Sequence, residues 1–163
     1  MARDLKVLAW ITEGGWEACV DAVARLDASE VTLIHVATVD LPGPPGRRHE
    51  EVLARMADLA GEAAQALLDD AVERLDDGSV TLYTLAASGL PEDAVMQAAA
   101  DADLLVIARD SRHPSPHSIG HAARFVVDHA PCDVLLVWPG GGPDSPPPRS
   151  KPKPKAKPKP EPR

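Results

Sequence analysis

The sequence predicts an α/β fold: a doubly wound, five-stranded parallel sheet with helices on both faces. Short apolar runs rich in β-branched residues alternate with helical patterns along the chain. Parallel strands need crossover connections, so this alternation favours parallel pairing. Two runs, Leu104–Ala108 and Val134–Trp138, are almost continuously apolar, as strands buried on both faces are. With 163 residues, 44% of them hydrophobic, the chain suits one such domain followed by a tail.

The first half of the chain predicts two strands and two helices. The segments Leu5–Ile11 and Val31–Val39 are apolar and rich in β-branched residues, which is typical of strands. Trp16–Leu26 places its apolar residues at three- and four-residue steps, which predicts a helix. Arg48–Leu75 predicts a longer helix, and Asp77-Gly78 supplies its stop signal. The apolar stripe of this helix consists of Val52, Met56, Leu59, Ala63, Leu67, Ala71 and Leu75.

The second half repeats the alternation with three strands and two helices. Val80–Ala86 predicts the third strand. A helix then begins at Pro91, a residue favoured in a first helical turn, and continues through Ala100. Leu104–Ala108 predicts the fourth strand, Gly120–His129 the last helix and Val134–Trp138 the fifth strand.

From Pro139 onward the composition changes. Pro and Gly supply 13 of residues 139–163, and the run KPKPKAKPKP alternates Lys with Pro or Ala. Because proline lacks an amide donor and like charges repel, we expect a disordered basic tail behind a domain of residues 1–138. Residues 149–163 carry a charge of +6, whereas the whole chain carries −8. The acidic body disfavours nucleic-acid binding by the folded face, so only weak contact between the tail and a polyanion is expected.

Several classes of protein are disfavoured by the same sequence. No run reaches the ~18 apolar residues of a spanning helix, and no separate apolar leader precedes the first strand, so we expect no membrane contact. Cys19 and Cys132 show no metal spacing and form no disulfide scaffold, which suits the cytoplasm. We expect both to pack as small hydrophobic residues, and His35 to be a hydrogen-bonded core residue.

Catalytic and metal-binding motifs are equally scarce. The sequence contains no nucleophile elbow, no Gly-rich phosphate loop ending in Lys-Ser/Thr and no His-Glu-x-x-His, so we do not expect an enzyme. His113, His117 and His121 are spaced four residues apart, but Pro114 and Pro116 break any helix that would align them. We therefore predict no metal site.

Ligands of doubly wound folds bind beyond the carboxyl ends of the strands, where the strand order reverses. The segments Thr12–Gly15, Ala37–Asp40 and Ala108–His121 follow predicted strands at this edge. The third segment collects two Arg and three His in an otherwise acidic body. Two interpretations are open: Arg109, Arg112 and His121 face an anion such as phosphate, or the loop is simply solvated.

Three phrases of the sequence occur together in one known family. SGLPEDAV at 88–95 leads through an Ala-rich turn to DLLVI at 103–107, GHAARFVVDHAPCDVLLV occupies 120–137, and LIHV occupies 33–36. Over about Leu5 to Trp138 these phrases resemble the universal stress protein domain. The resemblance implies a sheet of order 3-2-1-4-5 and homodimers that pair through the last strand.

The family's nucleotide-binding members carry Gly-x-x-Gly, about nine residues, then Gly-Ser or Gly-Thr. These glycines let the backbone approach ribose and phosphates, and the last one opens a helix whose free amides attract anions. In this chain Ala108-Arg-Asp-Ser111 and eight further residues precede Gly120-His121, and Thr12 stands where the family usually has Asp. The resemblance thus implies binding positions of which only Gly120 matches in kind: Thr12, Ala108, Ser111, Gly120 and His121.

The sequence therefore predicts a homodimeric universal stress protein-like module of stress response or regulation, with no cofactor and an unknown regulatory protein as partner. It is not expected to bind ATP in the family manner. The alternative is a protein that binds ATP or AMP and hydrolyses ATP slowly. In that case Arg109, Arg112 and the helix start at Gly120 would replace the missing glycines.

Overall fold

A parallel five-stranded sheet of order β3-β2-β1-β4-β5 organises the structure, a computed structural model that describes residues 4–76, 78–110, 112, 115 and 117–142. The strands are β1 (Lys6–Trp10), β2 (Glu30–Ala37), β3 (Thr81–Ser88), β4 (Leu104–Ala108) and β5 (Asp133–Val137). The predicted fold class and strand order are confirmed. The order reverses between β1 and β4, which lie at the centre of the sheet.

Helices cover both faces of the sheet. They are α1 (Trp16–Val23), α2 (Arg47–Leu75), α3 (Pro91–Ala99) and α4 (His121–His129), and a 3-10 turn follows at Pro139–Gly141. One core packs α1 and α2 against side chains such as Val7 and Ala9. The other core packs α3 and α4 against Leu8 and Trp10. Successive residues of β1 are therefore buried on opposite faces, which explains the continuous apolar run in the sequence.

Most element ends differ from the prediction by one to three residues, and two of these differences have a clear structural cause. Helix α1 ends at Val23 instead of Leu26, because Arg25 and Leu26 donate to carbonyls three residues back and tighten the last turn. Strand β3 continues to Ser88, because its pairing with β2 extends as far as Ala37.

The apolar stripe predicted for α2 is buried only at Ala71 and Leu75. The helix has 29 residues and is about 43 Å long, whereas the neighbouring eight-residue β2 spans about 26 Å. The buried face consists of Ala64, Leu68, Ala71 and Leu75, whereas Ala63 of the predicted stripe is exposed and Leu67 is half-buried. Val52, Met56 and Leu59 are 43%, 36% and 58% exposed. The first half of α2 therefore extends beyond the sheet.

The described chain ends beside α1. The 3-10 turn at Pro139–Gly141 occupies the start of the predicted tail, and residues 143–163 lie outside the described residues. Within the described ranges, no helix combines the length and apolar character needed to cross a membrane.

Candidate functional site

Four of the predicted binding positions meet where the sheet order reverses. Thr12, Ala108, Gly120 and His121 line a pocket of about 180 Å³ between the ends of β1 and β4 and the start of α4. The rest of its lining is Trp10, Ile107, Asp110, Ala122 and Ala123. The family positions are therefore assembled in space even though most of their side chains differ from the family's.

Gly15 lets the loop after β1 lie directly on the end of β4. A Cβ added at Gly15 would collide with the Ala108 methyl group and stand 3.2 Å from the Thr12 hydroxyl oxygen. Gly15 itself is buried, and its φ of −136° is open to other residues, so the constraint here is space. Ala108 thus occupies the place of the family's first glycine because Gly15 has no side chain.

An internal carboxylate stands at the start of α4. The Asp110 carboxylate lies so close to Gly120 that a Cβ at residue 120 would collide with its Oδ2 atom. The Asp110 backbone N–H donates to the Ser118 carbonyl at 2.8 Å, which closes the loop over this position. A helix N-terminus favours negative charge, so a carboxylate is electrostatically compatible with this place, although Asp110 makes no capping hydrogen bond to α4 among the described residues. Asp110 lies inside the 108–111 segment, but nothing in the residue pattern marked it as a site residue.

Arg109 points away from this pocket. Its guanidinium carbon lies 4.1 Å from the centre of the Trp138 ring, and Nη1 donates to the Ser118 hydroxyl at 2.7 Å. Its Nε is buried without a hydrogen-bond partner among the described atoms. The cation–π contact and the hydrogen bond hold Arg109 beside the end of β5. The position of Trp138 is thus explained by its packing against Arg109 of the same chain.

Of the remaining predicted loop residues, one lies away from the pocket and the others lie outside the described residues. The Arg112 guanidinium lies beside the 3-10 turn, where its Nε would be 3.2 Å from a Cβ built at Gly140. Ser111 and His113 lie outside the described residues, so their predicted positions stay predictions. Among the residues that are described, no group of three or more His, Cys, Asp or Glu side chains is placed to hold a metal ion.

A larger cavity, which we call the α2 groove, opens between α2 and the ends of β1 and β2. It encloses about 640 Å³ and is lined by Thr12, Glu13, His35, Val36, Ala37, Thr38, Ala60, Ala63, Ala66, Leu67 and Asp70. His35 Nδ1 lies 2.7 Å from the Ile11 carbonyl oxygen, which confirms the hydrogen-bonded histidine that the sequence predicts. Since a carbonyl accepts, this nitrogen carries the proton.

The two thiols are not poised for chemistry. Burial raises the pKa of Cys19 to about 12, and its sulfur lies 3.5 Å from the Trp10 carbonyl oxygen. Burial also raises the pKa of Cys132, with a contribution from the negative charges of Asp133 and Asp103. Both pack among apolar residues, as predicted, and a thiolate nucleophile is disfavoured at either position.

Side chains of the protein itself limit the space beside Gly120. The pocket there encloses about 180 Å³, and it adjoins the α2 groove because Thr12 lines both cavities. The Asp110 carboxylate lies against Gly120, and Arg109 is engaged with Trp138. The neighbouring Thr12 brings a hydroxyl where the family usually brings a carboxylate.

Comparison with known proteins agrees with this architecture. The model of the universal stress protein family matches residues 11–137. Comparison with curated proteins finds no match. Universal stress protein UspA from Lactobacillus plantarum is 21% identical with a TM-score of 0.68, covering 84% of this chain and 99% of its own.

Two further solved structures share the fold and contain nucleotides. A universal stress protein family protein from Arabidopsis thaliana with AMP bound is 18% identical, has a TM-score of 0.53, and covers 83% of this chain and 92% of its own. A universal stress protein in complex with cAMP is 21% identical, has a TM-score of 0.54, and covers 82% and 96%. At these identities the likeness establishes the common fold.

Proposed function

The chain belongs to the universal stress protein family, and from this premise we propose that it is a homodimeric stress-response or regulatory module that does not bind ATP in the family manner. The observation that carries the proposal is the Asp110 carboxylate against Gly120 at the start of α4. Within the described chain the carboxylate makes no capping hydrogen bond to α4, but it fills space and brings a negative charge beside Gly120, and both disfavour a phosphate there.

Electrostatics oppose a phosphate at this position. Two like unit charges 4 Å apart repel by about 1 kcal/mol in water and about 4 kcal/mol near a protein surface. The cation best placed to offset this repulsion, Arg109, is held by Trp138 and Ser118. Moving Arg109 into the pocket would break the hydrogen bond of a Ser118 side chain that is 1% exposed.

The sheet edge supports the dimer. Strand β5 is last in the strand order, and its residues Val134–Val137 are apolar and only half-buried. The Val137 carbonyl accepts from the Arg109 N–H, which directs the backbone groups of Val137 toward β4 and those of Leu136 outward. A second copy can pair with this outward edge and cover its side chains.

We assign no catalytic group and place the protein in the cytoplasm, where an unidentified regulatory protein is its partner. The raised pKa values of both cysteines oppose nucleophilic catalysis. The two free thiols suit a reducing compartment.

A second candidate function is binding of a small nucleotide such as AMP, or of ATP with slow hydrolysis. It is favoured by the neighbours solved with AMP and with cAMP. In that case Asp110 must move away from Gly120 when the phosphate arrives.

Substitution of Asp110 tests the carboxylate argument. We expect fluorescently labelled AMP to show no binding by anisotropy to wild type, and measurable binding to Asp110→Gly, which removes both the charge and the side chain. Asp101→Asn, an exposed acid after α3, is the control and should behave as wild type. Equal binding by wild type and Asp110→Gly would overturn the argument.

Sedimentation velocity tests the dimer. We expect wild type and Leu136→Ala to sediment as dimers, and Leu136→Pro, which also removes an outward N–H, to shift toward monomer. Monomeric wild type, or equal dimerisation of all three proteins, would contradict pairing through β5.

A further inference from the structure

The α2 groove has a wall suited to proline rings and aliphatic stems. Ala60, Ala63, Ala66 and Leu67 form one side of the groove, and all four are at least partly exposed. Small side chains leave room for a second chain to approach the helix closely. Proline has no backbone N–H group. An extended segment rich in proline therefore loses few hydrogen bonds with water when it lies on such a wall.

The charge of the groove is negative. Glu13 and Asp70 both belong to its lining, which contains no Lys or Arg. The surrounding stretch of α2 adds Asp58, Glu62, Asp69 and Glu73, and residues 57–73 contain no basic residue. A positively charged occupant is therefore favoured over a phosphate-bearing one.

The described chain ends close to this groove. Pro139 and Gly140 line a small cleft together with Glu13 and Trp16. Glu13 also belongs to the lining of the α2 groove, so one residue connects the end of the described chain with the groove. Residues 143–163 continue from this point, and residues 149–163 carry a charge of +6.

We propose that the Lys-Pro tail, residues 149–163, docks into the α2 groove of its own chain. Its alternating Lys and Pro residues place cations near Glu13 and Asp70 and lay rings and aliphatic stems on the alanine wall. The 21 residues after Gly142 reach about 65 Å if extended as polyproline helix. The groove, from Ala60 to Asp70 along α2, needs only about 15 Å.

Intramolecular docking needs only weak contacts. A short tether raises the effective concentration of the tail at the groove to about millimolar, so contacts too weak for a free peptide still populate the docked state. Docking also neutralises part of the acidic body. While the tail is docked, no other partner can bind to the groove or to the tail.

NMR of the isotopically labelled full-length protein tests this proposal. Wild type is compared with a variant in which Lys151, Lys153, Lys155, Lys157 and Lys159 are all replaced by Gln. At low salt we expect amide shift differences at Glu13, Thr38, Ala63, Ala66 and Asp70. These differences should collapse at about 1 M salt, where the screening length is about 3 Å.

Paired variants of the body identify the docking surface. In a Glu13→Gln/Asp70→Asn background the tail substitutions should produce no shift differences at the groove. In the control background Asp101→Asn/Asp128→Asn, which makes the same charge change elsewhere, the differences should persist. The proposal would be overturned if the tail substitutions produced no amide shift differences at the groove in the wild-type background. It would also be overturned if these differences persisted in the Glu13→Gln/Asp70→Asn background.

Dilution separates the two sources of the tail. Docking within one chain predicts shift differences that do not change on about tenfold dilution, because the effective concentration is set by the tether. Differences that fade on dilution would assign the tail in the groove to a second copy and would overturn docking within one chain.

Discussion

The contact between Gly15 and Ala108 predicts a strong coupling between two residues 93 positions apart in the chain. Gly15→Ala would push a methyl group onto the Ala108 Cβ, well inside the ~3.5–4.0 Å at which carbon atoms normally meet. Ala108 belongs to β4, which is held between β1 and β5, so its backbone cannot retreat without disturbing the sheet.

The magnitude follows from the two local environments. Overpacking of this kind costs about 1–3 kcal/mol of the free energy of unfolding. Ala108→Gly alone loses one buried methyl, about 0.8 kcal/mol, and gains backbone freedom worth about 0.5–1 kcal/mol in the unfolded chain. In the double variant the clash disappears, so it should be about as stable as Ala108→Gly, with a coupling energy of about 1–3 kcal/mol.

Urea unfolding followed by tryptophan fluorescence measures the four proteins of this cycle, and Trp16 lies directly after the substituted glycine. Gly14→Ala is the matched control, because a Cβ at Gly14 meets nothing within 4 Å, and it should change stability by less than about 0.5 kcal/mol. If Gly15→Ala were no more destabilising than Gly14→Ala, or if the two substitutions were additive, the described approach of the loop to β4 would be refuted.

Three further predictions follow from burial and charge. Leu68→Ala should lower the free energy of unfolding by about 2–5 kcal/mol in chemical denaturation, because Leu68 is fully buried. Leu59→Ala, on the exposed half of α2, should lower it by less than about 0.5 kcal/mol. Equal losses would contradict the extension of that half beyond the sheet. Burial raises the pKa of Cys19 from 9.0 to about 12, so the stability that its neutral thiol contributes below pH 9 is lost as the pH rises toward 12. Cys19→Ala should remove this part of the dependence of the unfolding free energy on pH. An unchanged slope between pH 9 and 12 would refute the prediction. The hydrogen bond from Arg74 lowers the pKa of Asp21 below its ordinary 3.8, so the pair stabilises the fold above that pH and the effect is lost on acidification. Asp21→Asn should lower the free energy of unfolding only a little, because the pair is exposed, and this loss should vanish in high salt.

The elements of the fold could be predicted because their signals are local. Continuous apolar runs such as Leu104–Ala108 indicated strands buried on both faces, and Pro91 marked the start of α3 correctly. The reach of α2 was not predictable from periodicity, since the apolar stripe continues through Val52, Met56 and Leu59 whether or not a sheet lies beneath it. Only the length of the neighbouring strand decides where burial begins.

The resemblance to the universal stress protein domain indicated which residues would lie together, but not the contacts between them. Thr12, Ala108, Gly120 and His121 do line one pocket, and their role in binding stays a prediction. The placement of Asp110 against Gly120 depends on how the intervening loop folds back, and no sequence spacing states that. The turn of Arg109 toward Trp138 depends likewise on where β5 ends beside β4. Such contacts between distant segments are properties of the packed chain.

Calorimetry measures whether the pocket at Gly120 binds a nucleotide, which we propose it does not. Full-length protein stripped of nucleotide is titrated with AMP and with ATP, each with and without magnesium. We predict no saturable heat up to about 1 mM ligand, which corresponds to a binding free energy weaker than about −4 kcal/mol. One-site saturable heat that is lost in Gly120→Trp and retained in Asp101→Asn would contradict the claim and establish nucleotide binding at this pocket.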